Sequence, residues 1–150
     1  MSQEVEVLLI EDNDSDALLI IRALQKNILT PKFLRLKDGS EALDFIYAKG
    51  KYSDRTAEPF PKFILLDLKM QKVGGLEMLK KIKSDEKTKL IPVIVLTSSK
   101  ESADVLESYK EGANSYVFKT IEYEKFYNKL NEVINYWMKI NYCCAQIPTK

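Results

Sequence analysis

Two uninterrupted apolar runs constrain this chain more than any other feature of its sequence. Residues 63–66 have the sequence FILL and residues 93–96 the sequence VIVL, without the alternation that marks a strand with one solvent-facing side. Runs of this kind are typical of strands buried on both faces, which occur mainly in parallel sheets covered by helices. The chain is therefore predicted to fold as an α/β protein.

Amphipathic segments separate these runs from three further strand-like segments. Strands are predicted at residues 5–10, 32–36, 63–66, 93–96 and 115–118. Apolar residues recur with helical spacing at residues 14–27, 38–48, 76–84, 101–111 and from residue 121 onward. Five strands that alternate with five helices form a parallel sheet with helices on both faces. A surface loop is expected at residues 50–61.

Length, charge and hydrophobicity limit the classes of protein to which the chain can belong. Its 150 residues suit a single domain over residues 1–150, with a core at about 5–140 and a short C-terminal tail. A net charge of +1 argues against DNA binding through a broad basic surface. The longest apolar stretch, residues 90–96, contains a proline and is too short to cross a membrane.

Cysteine and histidine usage narrows the chemistry further. Cys143 and Cys144 are adjacent, a spacing that rarely allows an unstrained disulfide, so reduced thiols are expected. The acidic N-terminus does not resemble a signal peptide, and a soluble, cytoplasmic protein is expected. The chain contains no histidine, which excludes a Ser-His-Asp triad, a Cys-His dyad, imidazole metal ligands and a phosphohistidine.

Polar side chains follow four of the predicted strands at the points where those strands end. Glu11 and Asp12 follow the first strand, and Asp67 follows the third. Thr97 ends the fourth strand and Lys119 follows the fifth. The carboxyl ends of parallel strands meet at one edge of the sheet, where doubly wound proteins bind their ligands. We therefore expect three carboxylates, a hydroxyl and an ammonium to lie together.

Each of these residues also has a purely structural interpretation. Asp12 or Asn13 could cap the first helix, and Thr97 could simply end a strand. Lys119 could be solvated or could pair with Asp67. Asp67 is harder to explain in this way, because it interrupts an apolar run where an unpaired carboxylate would be costly. The coincidence of all of them at matching strand ends favours a functional site.

Three clustered carboxylates require a partner of opposite charge. At an effective dielectric constant near 20, two carboxylates about 4 Å apart repel by roughly 4 kcal/mol, which one lysine does not offset. Mg²⁺ prefers oxygen ligands, and Glu11, Asp12 and Asp67 with one backbone carbonyl would suit it, whereas zinc and copper favour softer donors. Carboxylates, Mg²⁺, lysine and a hydroxyl together indicate phosphoryl transfer, with Asp67 as the best candidate for an aspartyl-phosphate acceptor.

In this order and spacing, the motifs resemble those of the receiver domain of two-component response regulators. The matching segments are LIEDN at residues 9–13, LLDLKM at 65–70, Gly75, VLTSS at 95–99 and VFK at 117–119. The resemblance spans about residues 5–140 and implies a flavodoxin-like (βα)5 fold with strand order 2-1-3-4-5. It also implies that the chain is no enzyme toward other substrates and catalyses only its own phosphorylation and dephosphorylation.

The resemblance implies a role for each residue at the strand ends. Asp67 would accept a phosphoryl group from the phosphohistidine of a sensor kinase or phosphotransfer protein, and Thr97 and Lys119 would bind the phosphoryl oxygens. The ligands of Mg²⁺ would be Glu11, Asp12, Asp67 and the backbone carbonyl of Lys69. Tyr116 matches the family's switch aromatic, whose inward rotation would alter the surface of the fourth helix, fifth strand and fifth helix. A fixed, half-buried strand aromatic is the alternative interpretation of Tyr116.

The chain departs from the family pattern at three places. Gln71 stands where a proline is common, and Gly74 replaces the usual acidic residue. Thr120 follows Lys119 at a position where the family usually has a proline with a cis bond. Although a non-proline cis bond costs roughly 3–4 kcal/mol, the Lys119–Thr120 bond is predicted to be cis here.

Within the receiver family, the chain resembles the small stand-alone receivers that accompany bacterial phytochrome kinases. The features that carry this resemblance are the loop at residues 50–61, an aromatic last helix and the expected lack of an output domain. It implies such a kinase as partner, an unidentified downstream protein and a homodimer. One stripe of the last helix is predicted to face the core: Ile121, Phe126, Leu130, Val133, Ile134 and Trp137. The alternative is that the aromatic residues of this helix are core and partly solvated surface of an ordinary helix.

Three other functions compete with a phosphorylated receiver. A binding module with the same fold would signal without phosphate, and the complete set of site residues argues against it. A phosphatase with an aspartate nucleophile typically has a second acid two residues later, where this chain has Lys69. A flavin binder needs amides and hydroxyls in the turn after the first strand, and this turn is acidic.

Overall fold

A five-stranded parallel sheet forms the centre of the computed structural model, which describes residues 4–147. The strands are β1 (Val7–Ile10), β2 (Phe33–Leu36), β3 (Phe63–Leu66), β4 (Val93–Thr97) and β5 (Ser115–Phe118). The helices are α1 (Asp14–Lys26), α2 (Gly39–Tyr47), α3 (Gly75–Ser84), α4 (Ser102–Lys110) and α5 (Tyr123–Asn135). The strand order is β2-β1-β3-β4-β5, so the predicted flavodoxin-like topology is confirmed. The predicted domain over residues 1–150 includes residues 1–3 and 148–150, which lie outside the described residues.

Two apolar clusters cover the two faces of the sheet. Side chains alternate along a strand, so Leu8 and Ile10 of β1 face the helices α2 and α3, while Val7 and Leu9 face α1 and α5. Every residue of β1, β3 and β4 is buried, which is the property that their uninterrupted apolar sequences predicted. The parallel sheet therefore places the loops that follow its strands along one edge.

Side-chain caps fix the starts of the two helices that follow β1 and β2. The Asn13 side chain accepts a hydrogen bond from the Asp16 N–H (2.8 Å), and the Asp38 side chain accepts one from the Glu41 N–H (2.8 Å). Asn13 was one of the two residues that the sequence offered as a cap for the first helix, and both caps satisfy backbone donors that a helix leaves unpaired at its first turn. Gly112 has a φ of +104°, as expected for a glycine that ends a helix.

Two predictions about the segment after β5 are wrong. The Lys119–Thr120 bond is trans, since the described chain has a single cis bond, between Glu58 and Pro59. A trans bond avoids the cost of a non-proline cis amide, and the Lys119 ammonium still reaches the strand-end carboxylates. Ile121 is fully exposed and does not belong to the core stripe, because α5 begins only at Tyr123 and leaves Ile121 in the preceding loop.

The remaining segments pack around this core. In the loop at residues 50–61, Arg55 lies 3.9 Å above the centre of the Phe45 ring and donates a hydrogen bond to the Phe45 carbonyl, so the loop folds back on α2. The chain after α5 forms a π-helical turn, Tyr136–Ile140. Cys143 and Cys144 are free thiols, as expected. Within residues 4–147, no helix is long and apolar enough to cross a membrane.

Candidate functional site

Three carboxylates converge where β1 and β3 end. Glu11, Asp12 and Asp67 each offer one oxygen, and these oxygens all lie within 4.8 Å of one another. The cause is the register of the sheet, in which Ile10 pairs with Leu66, so that the residues following both strands are neighbours. Glu11 and Asp67 are 1% and 6% exposed, and Asp12 is half-buried.

The side chain of Lys119 enters this cluster from the end of β5. Its Nζ lies 2.5 Å from Oε1 of Glu11 and 3.6 Å from Oδ1 of Asp67. A third carboxylate, Oδ2 of Asp16 in α1, lies 2.9 Å from the same Nζ. The backbone N–H of Lys119 donates to the carbonyl of Thr97 at 2.9 Å, which fixes the point from which the side chain starts. The predicted juxtaposition of lysine and carboxylates is therefore present.

Burial and clustering perturb the ionisation of this site. Burial raises the pKa of Glu11 to about 7; Lys119 opposes the rise and the neighbouring Asp67 carboxylate adds to it. Burial disfavours the Lys119 ammonium, but hydrogen bonds and charges from Glu11, Asp16 and Asp67 outweigh it and raise the pKa of this lysine. One ammonium thus faces several carboxylates, and the cluster has an unbalanced negative charge. Its oxygen-only donors fit a hard divalent cation such as Mg²⁺ or Mn²⁺.

Thr97 and Tyr116 both hold the loop between β4 and α4. Thr97 is fully buried at the end of β4, and its Oγ1 accepts a hydrogen bond from the N–H of Ser99 at 3.3 Å. The Tyr116 hydroxyl donates to the carbonyl of Ser99 at 3.0 Å. Burial raises the pKa of Tyr116, so its hydroxyl stays protonated and can donate this bond. Both predicted switch residues are thus tied to the same loop residue.

The loop after β3 is connected to α4 through the Lys69 side chain. The Lys69 N–H donates to Oδ1 of Asp67 at 3.3 Å, while its Nζ lies 3.3 Å from Oδ2 of Asp104. The Ser99 hydroxyl donates to the same Asp104 oxygen at 2.5 Å. Hydrogen bonds from Ser99 and Lys69 lower the pKa of Asp104, so the carboxylate is ionised at neutral pH. A continuous set of polar contacts therefore joins the Asp67 loop to the loop after β4.

Sequence reasoning missed Asp16, Asp104 and Arg35. Asp16 lies in the first turn of α1, which begins beside the end of β1, yet it was not among the residues predicted for the site. Asp104 gave no signal, because its contacts depend on how α4 packs. Arg35 of β2 donates from Nε to the carbonyl of Glu11 (2.9 Å), and its Nη2 lies 3.0 Å from Oδ1 of Asp14. The sequence signal available for that contact was a single arginine in the otherwise apolar strand β2, which has the sequence FLRL.

The model of the response regulator receiver domain family matches residues 7–131. The chain therefore belongs to this family, and the predicted resemblance is confirmed. Receiver domains of two-component signalling accept a phosphoryl group and change conformation in response, which is the class of function that the fold and the strand-end cluster define.

Two individual relatives are similar to this chain over most of its length. The chain is 36% identical over 135 residues to the probable methanogenesis regulatory protein FilR2 of Methanothrix harundinacea, covering 90% of this chain and 84% of that protein. It is 32% identical over 133 residues to response regulator Rcp1 of Synechocystis sp., covering 89% of this chain and 88% of Rcp1.

Two solved structures are similar over nearly the whole chain. One is the phosphorylated cyanobacterial phytochrome response regulator RcpA, with a TM-score of 0.87, 30% identity and coverage of 95% of this chain and 99% of that chain. The other is the Mn²⁺-bound form of Rcp1, with a TM-score of 0.85, 31% identity and coverage of 91% and 96%. The narrower resemblance to phytochrome response regulators is confirmed by these relatives.

Proposed function

We propose that Asp67 accepts a phosphoryl group from the phosphohistidine of a sensor histidine kinase or a phosphotransfer protein. The observation that carries this assignment is the position of the Asp67 carboxylate, 3.6 Å from the Lys119 ammonium and within the carboxylate cluster. Of the three clustered carboxylates, Asp67 is the one between the ends of β1 and β4, the central position of the sheet edge. This chain has no histidine, so the donor imidazole must come from its partner.

Each site residue has one task in this transfer. A carboxylate oxygen of Asp67 attacks phosphorus, the P–N bond to the donor imidazole breaks, and the imidazole leaves with the electron pair of that bond. Mg²⁺, when bound, neutralises charge on the transferring group, and its proposed ligands are Glu11, Asp12, Asp67 and the carbonyl of Lys69. Lys119 and Thr97 bind the phosphoryl oxygens through the ammonium and the hydroxyl.

Tyr116 and the loop after β4 connect the site to the surface in this proposal. Movement of Thr97 toward a phosphoryl oxygen would pull on Ser99, to which both Thr97 and Tyr116 are hydrogen-bonded. Because Tyr116 is half-buried in β5, a change in its partner alters the surface formed by α4, β5 and α5. That surface would deliver the signal to a downstream protein or to a second copy of this chain.

The proposed kinase partner is of the phytochrome type. The support is the similarity to RcpA, a phytochrome response regulator, at 30% identity over 95% of this chain. The homodimer is proposed to use the face of α4, β5 and α5, where Leu106 and Tyr109 of α4 and Tyr123 of α5 are exposed. Neither DNA nor a membrane is a proposed partner.

Labelling with phosphoramidate, a small phosphodonor, in the presence of Mg²⁺ tests the acceptor assignment. We expect one hydroxylamine-labile phosphoryl group per chain, detected by intact-protein mass spectrometry and lost in Asp67→Asn. Asp54→Asn removes a carboxylate from an exposed loop position and should label normally. Undiminished labelling of Asp67→Asn would overturn the assignment, and Mg²⁺-independent labelling would overturn the role of the metal.

A further inference from the structure

Lys119 is shared between carboxylates that differ in what else they can bind. Glu11 and Asp67 follow β1 and β3 and belong to the cluster of oxygens that can hold a metal ion. Asp16 belongs to α1 and lies outside that cluster, yet its Oδ2 is 2.9 Å from the Lys119 Nζ. Of the carboxylates that contact Lys119, Asp16 is thus the one outside the candidate metal site.

This difference matters once a cation occupies the cluster. Glu11 and Asp67 would then direct oxygens toward the cation, which weakens their hold on the ammonium. Asp16 lies outside the cluster, so its oxygen would remain available to Lys119 in both situations. Its contact with the ammonium would then persist at the stage when a phosphoryl group must bind to the same ammonium.

The position of Asp16 is set by the start of α1. Its backbone N–H donates to Oδ1 of Asn13 at 2.8 Å, which closes the first turn of the helix beside the end of β1. Lys119 has little freedom to move away from it, because the lysine side chain is only 10% exposed. The two charged groups are thus held in contact by a helix cap on one side and by burial on the other.

We propose that Asp16 is a competing counter-ion, which holds Lys119 before phosphorylation and limits the affinity of the site for the phosphoryl group. The inference rests on the proposed function of Asp67 and Lys119. A phosphoryl group is anionic, so it must share the ammonium with Asp16 and meets the negative charge of Asp16 close by. Asp16 is a positioning residue in this scheme, since it acts through Lys119 and forms no bond to phosphorus.

Asp14 offers a matched control for the charge and location of Asp16. Both aspartates lie in the first turn of α1, so both place a negative charge near the positive end of the helix dipole. Asp14 differs in its partners, since its Oδ1 lies 3.0 Å from Arg35 Nη2 and 3.2 Å from Lys37 Nζ. A substitution there removes the same charge without touching Lys119.

The test is an equilibrium titration of the full chain with beryllofluoride, an inorganic mimic of the phosphoryl group, at saturating Mg²⁺. Asp16→Asn should bind beryllofluoride about fivefold more tightly than the wild-type chain, the upper range for a partly exposed ion pair. Asp14→Asn should change the affinity by less than about twofold, because general charge effects are screened by salt. We also expect the KM for phosphoramidate to be lower in Asp16→Asn than in the wild-type chain and nearly unchanged in Asp14→Asn. The maximal labelling rate should be the same in all three proteins.

The outcomes separate this inference from the proposed function. If the wild-type chain binds no beryllofluoride, or if Asp67→Asn binds it normally, the proposed function is wrong. If wild-type binding depends on Asp67 while Asp16→Asn binds with unchanged or weaker affinity, only the role of Asp16 is wrong. An equal gain in Asp14→Asn would also refute it, since the effect would then be one of general charge. Thermal unfolding of each variant checks that the affinity changes occur in folded protein.

Discussion

The ammonium of Lys119 lies 2.5 Å from Oε1 of Glu11, although 108 residues separate the two in the chain. Glu11 follows β1 and Lys119 follows β5, and two strands stand between them in the sheet. The long lysine side chain therefore extends along the sheet edge, and its Nζ also lies 3.6 Å from Oδ1 of Asp67, which follows β3. This contact gives the carboxylate cluster its compensating positive charge, and burial still leaves the pKa of Glu11 at about 7.

Removal of the Asp67 charge should stabilise the metal-free protein. Glu11, Asp12 and Asp67 repel one another, so Asp67→Asn is expected to raise the free energy of unfolding by about 1–2 kcal/mol. Chemical denaturation in the presence of a chelator measures the change. A destabilised Asp67→Asn variant would show that the Lys119 contact outweighs the repulsion.

Metal addition should distinguish the wild-type chain from the same variant. Mg²⁺ or Mn²⁺ is expected to raise the thermal unfolding temperature of the wild-type chain, because it binds the folded state and not the unfolded chain. The shift should be much smaller for Asp67→Asn, which lacks one of the three oxygen donors. Equal shifts in both proteins would place the metal elsewhere.

The adjacent glycines at the start of α3 should differ sharply in their tolerance of alanine. A Cβ added at Gly75 would overlap the carbonyl oxygen of Asp67 and lie 2.6 Å from Cα of Leu68, so the acceptor loop would have to move. Gly75→Ala is expected to lose about 3 kcal/mol of stability. Gly74→Ala is the control, since nothing lies within 4 Å of its added Cβ. Denaturant unfolding of both variants measures the contrast, and equal stabilities would contradict the close contact.

Asp104 should order the loop between β4 and α4. Asp104→Ala removes the acceptor of the Ser99 hydroxyl and the partner of the Lys69 ammonium, at a cost of about 1 kcal/mol. Amide hydrogen exchange should become faster at residues 98–101, where these bonds hold the backbone. Glu107→Ala, one turn later in α4, is the control and should leave this exchange unchanged. Unaltered exchange in Asp104→Ala would contradict the role of the carboxylate.

Lys83 should make the free energy of unfolding rise with pH in the alkaline range. Its Nζ donates to the carbonyls of Lys89 (3.0 Å) and Ile91 (2.7 Å) and to Oδ1 of Asn114 (3.0 Å). Burial lowers the pKa of Lys83 from 10.5 to about 8. Above pH 8 the folded chain loses this proton before the unfolded chain does, so the unfolded state binds more protons and stability rises with pH.

The measurement compares Lys83→Met with the wild-type chain at pH about 7 and about 9.5. The stability of the wild-type chain relative to Lys83→Met should increase between these two values. Lys81→Met removes a lysine of the same helix whose side chain is 53% exposed, and its difference from wild type should stay constant. A pH-independent difference for Lys83→Met would show that the three oxygen acceptors keep the ammonium charged throughout.

Much of the site could be predicted because a parallel sheet converts order in sequence into position in space. The residues that follow buried strands must meet at one edge, so the amino-acid order alone was enough to place Glu11, Asp67 and Lys119 together. The Asn13 cap could also be predicted, as one of two candidates, because a helix start needs acceptors for its unpaired N–H groups.

Predictions failed where the backbone had more than one acceptable course. The family pattern suggested a cis Lys119–Thr120 bond, but a flexible lysine side chain reaches its partners from a trans backbone. Ile121 fits the helical period of α5, yet the helix begins two residues later and the isoleucine stays in solvent. Periodicity alone does not determine where a helix begins.

By itself, the sequence determined the α/β class and the residues that follow each strand, because uninterrupted apolar strands must be buried on both faces of a sheet. The strand order 2-1-3-4-5 came from the family resemblance. Only the tertiary structure decided which partners the charged groups choose. Asp14 and Asp16 are equivalent in the sequence, as acids of one helical turn, yet one pairs with Arg35 and the other with Lys119. That choice depends on the direction in which α1 leaves the sheet and on the reach of long side chains from β2 and β5, which no local pattern encodes.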